Sequence, residues 1–136
     1  MRYMTPASQQ IYKSDLTRYW QHFPATSLLV SRFASSETGI ICRLLVTPET
    51  EISGNVVPVG YPLPGKEVFI LDESGNQLGA DQIGEIAVRS RYLAAGYWGK
   101  PQLTEEKFRS NGNASEPTIY RMGDWGRLSA DGCLEF

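Results

Sequence analysis

Apolar side chains in the first part of the chain recur at helical spacing, then give way to short runs that suit strands. Tyr12, Leu16, Tyr19, Trp20 and Phe23 would share one face, so residues 7–23 read as a helix with an aromatic stripe. Pro24 ends it, because a proline disfavours helical backbone in the residue before it. Residues 26–33 form a compact apolar run with the length of a buried strand. Residues 34–39 are small and polar and read as a loop, and residues 40–47 are apolar and extended again.

From Pro48 onward the pattern changes. Gly, Pro, Asn and Asp recur at short intervals, as in Ser53-Gly54-Asn55, Pro62-Leu63-Pro64-Gly65 and Asp72-Glu73-Ser74-Gly75-Asn76. Between them lie strand-like runs at 67–71 and 85–89, a spacing that predicts short antiparallel strands. Residues 72–76 read as a tight turn in which Gly75 supplies positive φ. A short helix is predicted at 104–108 with Thr104 as its N-cap. Residues 111–117 read as a polar loop, and 119–136 as strands with a turn at Asp131-Gly132.

Composition narrows the function classes. The 136 residues are 41% hydrophobic and 21% charged with a formal net charge of −2, which suits a soluble globular protein and gives no basic surplus for nucleic acid. No apolar run approaches the ~20 residues of a membrane helix, so no membrane association is expected. Cys42 and Cys133 are too few and too far apart in sequence for a disulfide framework or a metal site, which points to a reduced, cytoplasmic protein. His22 is the only histidine. A Ser-His-Asp triad would have to use it, and it lies on the helix read as packed.

Two segments could carry chemistry. In Ser35-Ser36-Glu37-Thr38-Gly39 a hydroxyl suits a phosphate oxygen and a carboxylate suits Mg²⁺, which joins few protein groups to substrate phosphates. In Tyr120-Arg121-Met122-Gly123-Asp124 the aspartate accepts only, and its two oxygens match two vicinal hydroxyls. Each segment is equally the composition of an ordinary turn.

Their order along the chain adds weight. Gly84-Glu85-Ile86-Ala87-Val88-Arg89-Ser90, then Tyr92-Leu93-Ala94-Ala95-Gly96-Tyr97-Trp98, then Pro101-Gln102-Leu103-Thr104-Glu105-Glu106-Lys107-Phe108 resembles a signature of adenylate-forming (AMP-binding) enzymes. Residues 120–124 resemble that family's tyrosine-arginine-threonine-glycine-aspartate motif, with Met122 in place of threonine. Residues 35–39 resemble its threonine-glutamate motif, with Ser36 in place of threonine. The flavour is that of the adenylation domain of a non-ribosomal peptide synthetase.

The resemblance implies a fold and a reaction. The fold expected is an α/β remnant at 1–47, with a helix and a parallel-sheet strand, followed at 48–136 by a β-rich, distorted antiparallel barrel-like subdomain. In the parent, a carboxylate attacks the α-phosphate of ATP, and the acyl-adenylate then passes its acyl group to a thiol. That thiol belongs to a carrier-protein phosphopantetheine or to coenzyme A, and the acyl donor is an amino or other carboxylic acid. By carry-over, Glu37 matches the Mg²⁺ ligand, Ser36 the hydroxyl near the α-phosphate and Asp124 the ribose clamp. Phe33 falls where the family has an aromatic near the adenine, with Ala34 in place of a glycine.

The family's phosphate loop is expected before residue 1, and its hinge and lysine-bearing domain after Phe136. The chain is therefore expected to be an inactive fragment that self-associates through faces meant for the rest of the domain. Two alternatives stand beside this reading: a non-catalytic binding module, and a luciferase-like or acyl-coenzyme A ligase fragment.

Overall fold

A computed structural model describes residues 3–6, 10–109 and 116–136. Among these, two helices and two sheets form a mixed α/β arrangement. The elements in chain order are β1 (Tyr3–Met4), α1 (Lys13–His22), β2 (Leu28–Ser35), β3 (Gly39–Val46), β4 (Tyr61–Pro62) and β5 (Lys66–Leu71). They continue with β6 (Gly84–Ser90), α2 (Pro101–Lys107), β7 (Phe108–Arg109), β8 (Thr118–Leu128) and β9 (Leu134–Glu135).

The first sheet has the order β1-β2-β3-β4. β1 runs parallel to β2, and the other pairs are antiparallel. α1 packs on it through Leu16 and Tyr19, which join Ile11, Leu29, Val46, Ile52 and Val57 in one buried cluster. The helix is shorter than its periodicity predicts. Residues 11–13 pair instead with 55–57, as shown by the Val57 N–H to Ile11 O bond (2.8 Å) and the Lys13 N–H to Asn55 O bond (2.8 Å). Cross-strand pairing thus captures the segment, and Tyr12 and Phe23 lie exposed instead of joining the buried face. The part of the helix read at 7–9 lies outside the described residues. Phe23 has extended backbone before Pro24, as the pre-proline restriction requires.

The loop read at 34–39 is in fact a tight hairpin. β2 runs on to Ser35, β3 starts at Gly39, and the two pair in register at Ser35 and Gly39. Gly39 has φ +63°, the left-handed conformation such a turn needs.

The second sheet has the order β5-β6-β8-β7, with β9 paired to β8. It is an open sheet, so the barrel expected for 48–136 is not formed among the described residues. A strand buried on both faces explains the apolar run of β6. Ile86 and Val88 enter the main core, and Ala87 meets Phe69, Leu71 and Ile119 on the other side. The main core draws Phe33, Ile41 and Cys42 from the first sheet and Val68, Ile70, Ile86, Val88 and Leu134 from the second.

The turn at 72–76 closes as read, with Asn76 N–H donating to Asp72 Oδ1 (2.8 Å) and Gly75 at φ +85°. The second helix starts earlier than read. Pro101 opens α2 after Lys100, and the Thr104 hydroxyl donates to Lys100 O (2.9 Å) inside the helix instead of capping its start. No helix among the described residues is long and apolar enough to cross a membrane.

Candidate functional site

The β2–β3 turn puts Ser36, Glu37 and Thr38 at one end of the first sheet. Thr38 is buried, and its Oγ1 lies 3.1 Å from Ser35 Oγ and donates to Gly39 O (2.9 Å). The turn is also gripped from outside. Ala94 N–H donates to Glu37 O (2.7 Å), and Lys66 Nζ donates to Thr38 O (2.7 Å) and Tyr92 O (2.8 Å). The loop after β6 is thereby tied to the turn by main-chain carbonyls at both Glu37 and Thr38.

The Glu37 side chain has its own partner in that loop. Tyr97 O–H donates to Glu37 Oε1 (2.8 Å), and Tyr97 Oη lies 3.1 Å from Tyr120 Oη. A phenol carries one proton, so with Tyr97 donating to the carboxylate, Tyr120 donates to Tyr97. The hydrogen bond from Tyr97 is the main reason the Glu37 carboxyl is held below the usual range, against a smaller opposing effect of burial. Burial pushes the Tyr120 phenol upward, helped by the hydrogen bond with Tyr97. At Tyr97 the hydrogen bond from Tyr120 lowers the pKa, but burial and the Glu37 carboxylate together outweigh it and raise it. The result is one ionised carboxylate at the end of a chain of two protonated phenols. Phe108 packs beside both rings, with centroids 5.6 Å from Tyr97 and 4.6 Å from Tyr120.

Asp124 stands on a different kind of feature. Ala87 pairs with Arg121 and Glu85 with Trp125, so Ile86 alone lies opposite Met122, Gly123 and Asp124. This wide bulge pushes the motif out of the sheet. Gly123 takes φ +82° at its tip. Glu85 braces the bulge from β6: Oε1 accepts from Gly123 N–H (3.1 Å), and Oε2 accepts from Arg121 Nε (2.8 Å) and from Arg121 Nη2. Asp124 is exposed, and its carboxylate makes no hydrogen bond or ion pair with another described residue.

The four residues predicted from the sequence are therefore not all gathered in one pocket. Glu37 is linked through Tyr97 to Tyr120, four positions before Asp124 on β8. Ser36 is exposed beside Glu37, and its hydroxyl has no partner among the described residues. Phe33 is buried, packs at a tilt against Phe136 with ring centroids 4.6 Å apart, and lines a cleft of about 410 Å³ with Ser31, Arg32, Ala34 and Val59. Ser36, Glu37 and Asp124 do not line that cleft. Sequence reading missed Glu85, Lys66 and Tyr97 as working parts. Glu85 and Tyr97 were visible only as letters of the middle signature, and the Tyr97–Glu37 bond spans 60 positions that no local periodicity reveals.

The donor set fits a particular kind of metal. No group of three His, Cys, Asp or Glu side chains that could hold a metal ion occurs among the described residues. One ionised carboxylate beside hydroxyls suits Mg²⁺ that brings its own waters and substrate phosphates, and does not suit a metal caged by protein. The Asp124 carboxylate, without a partner among the described residues on a bulge that Glu85 braces, likewise suits a pair of sugar hydroxyls.

Comparison with known proteins bears on the whole chain. The family model described as AMP-binding enzyme matches residues 1–98. Zwittermicin A synthase ZmaJ of Bacillus cereus is 35% identical over 115 residues, which cover 85% of this chain and 22% of that protein. Tyrocidine synthase 1 of Brevibacillus parabrevis is 32% identical over 107 residues, covering 79% of this chain and 10% of that one. The solved structure of PA1221, an NRPS protein containing adenylation and PCP domains, superposes with a TM-score of 0.82 at 26% identity, covering 100% of this chain and 28% of that one. The chain thus spans less than a quarter of the length of either curated relative. With well over half of its residues inside the family match, the chain belongs to the AMP-binding enzyme family.

Proposed function

We propose that this chain forms the metal- and ribose-facing part of an ATP site in an adenylate-forming enzyme. The observation that carries the reading is the pairing of two carboxylates with opposite surroundings. Glu37 is held ionised by Tyr97, and Asp124 is presented without a partner on a bulge that Glu85 braces. Glu37 is the Mg²⁺ ligand, and Ser36 places its hydroxyl near the α-phosphate. Asp124 accepts from the ribose hydroxyls, and Phe33 borders the adenine side. Bound Mg²⁺ supplies charge that offsets the negative phosphates during attack by the carboxylate substrate.

The parent activity proposed is activation of an amino or other carboxylic acid as its acyl-adenylate. Transfer to a carrier-protein phosphopantetheine is favoured over coenzyme A by the likeness to PA1221, a protein containing adenylation and PCP domains. The rest of the adenylation domain and the carrier protein are the proposed partners, in a reduced, cytoplasmic setting.

A titration tests this reading on the chain itself. Addition of ATP with Mg²⁺ should shift the amide resonances of residues 36–38 and 122–125 in nuclear magnetic resonance spectra. Shifts confined to other surfaces would overturn the assignment. The same chain, which spans less than a quarter of the length of either curated relative, should show no carboxylate-dependent exchange of pyrophosphate into ATP. Exchange by a contaminant-free preparation would overturn that part.

Self-association is the companion proposal. Trp98, Tyr92, Ile83 and Trp125 are all more than half exposed, a large apolar load for a chain of this size. Light scattering should report species larger than 15.2 kDa that grow with concentration. A monomer throughout would refute it.

A further inference from the structure

Among the described residues, the Tyr97 side chain is hydrogen-bonded to the Glu37 carboxylate and to Tyr120 and to no other polar group. Its backbone is fixed as well: Tyr97 N–H donates to Thr104 Oγ1 (2.9 Å), and Gly96 before it has φ +142° with no room for a Cβ, which would stand 2.4 Å from Thr104 Cγ2. The loop carrying Tyr97 is tied to the Glu37 turn through Ala94 and, by way of Lys66, through Tyr92. Both ends of the Tyr97–Glu37 bond are thus anchored independently of that bond. A glutamate side chain left free loses rotamer entropy when it meets a metal, and one already held does not.

Resting on the reading of Glu37 as a metal ligand, we propose that Tyr97 is a positioning residue for that ligand: its phenol, oriented by the Tyr120 hydroxyl, fixes Glu37 Oε1 and sets the carboxylate in place before metal and nucleotide arrive. Tyr120 acts only through Tyr97. Because Tyr120 lies on β8 four positions before Asp124, the metal side and the ribose side of the site share one hydrogen-bonded frame.

The test uses Mn²⁺ with ATP as a paramagnetic probe and reads line broadening at residues 36–38 of the chain. Tyr97→Phe keeps the ring against Phe108 and removes only the hydroxyl. It should raise the Mn²⁺–ATP concentration needed for half-maximal broadening roughly tenfold, the loss expected for one hydrogen bond to a charged group. Tyr120→Phe should raise it by a smaller factor, and the double variant should match Tyr97→Phe alone. Metal-free ATP should shift residues 122–125 equally in all of them, which a merely structural defect would not allow.

Glu37→Gln separates this inference from the reading beneath it. If Glu37→Gln abolishes the broadening and Tyr97→Phe leaves it unchanged, the positioning role is wrong and the metal site stands. If the effects of Tyr97→Phe and Tyr120→Phe multiply in the double variant, Tyr120 does not act through Tyr97 and the proposal fails. Wild-type chain without broadening near Glu37 overturns the metal site and the positioning role together. Should Tyr97→Phe not fold, Tyr120→Phe must still weaken the metal-dependent signal alone, and no change there overturns the proposal.

Discussion

Asp124→Asn should lower ATP affinity by one to two orders of magnitude while leaving the fold intact. The carboxylate stands on the β8 bulge with no partner among the described residues, so its removal breaks nothing inside the protein. What it loses is external. Hydrogen bonds from sugar hydroxyls to a charged acceptor contribute roughly 1.5–3 kcal/mol each, and each ~1.4 kcal/mol is a tenfold change in affinity. Asparagine keeps the shape but replaces one acceptor oxygen with a donor and removes the charge. Titration with ATP and 2′-deoxy-ATP checks the assignment. Wild type should prefer ATP, and the variant should lose most of that preference. Equal discrimination by both would make Asp124 an ordinary turn residue.

Among the described glycines, Gly60→Ala is expected to be the most damaging substitution. Gly60 has φ +91°, and an added Cβ would lie 2.3 Å from Arg43 O and 2.6 Å from Leu44 N, both main-chain atoms of β3. Nothing there is a flexible tip that could swing aside. The residue also carries the crossing between the two sheets, because Leu134 N–H donates to Gly60 O (2.8 Å) and Val59 N–H donates to Leu134 O (3.0 Å). A clash with a strand backbone on top of an unfavourable φ should cost about 4 kcal/mol or more, enough to leave a marginally stable domain largely unfolded. Gly75→Ala is the control. It has a similar φ of +85° and nothing within 4 Å of the new Cβ, so only the conformational cost of about 1–2 kcal/mol remains. Urea unfolding of the two variants should differ clearly in midpoint, and equal midpoints would show that the contact at Gly60 is relieved by a small shift.

Much of the element pattern was legible from local sequence. The strands β5 and β6, the turns at 72–76 and 131–132 and the stop at Pro24 follow from alternation, glycine and proline, which act within a few residues. The motifs at 35–39 and 120–124 were legible as chemistry because carboxylates and hydroxyls announce themselves by type. Elements whose boundaries depend on distant partners were not. The helix read from residue 7 begins at Lys13 because residues 11–13 find cross-strand partners at 55–57, and periodicity carries no record of that competition. The barrel-like closure expected for 48–136 is not formed among the described residues for a similar reason, since strand order and sheet edges are properties of pairing, which single strands do not specify.

The candidate site divides along the same line. Glu37 and Asp124 could be named from the sequence, since their chemistry is local. That one is held by a phenol and the other thrust out by a bulge was decided only when β6, β8 and the loop between Ser90 and Pro101 came together. Sequence by itself determined which groups are available, because side-chain chemistry and turn preference travel with the residue. Tertiary structure alone decided which of them meet. A 2.8 Å hydrogen bond between Tyr97 and Glu37 depends on the packing of two sheets and not on any spacing along the chain.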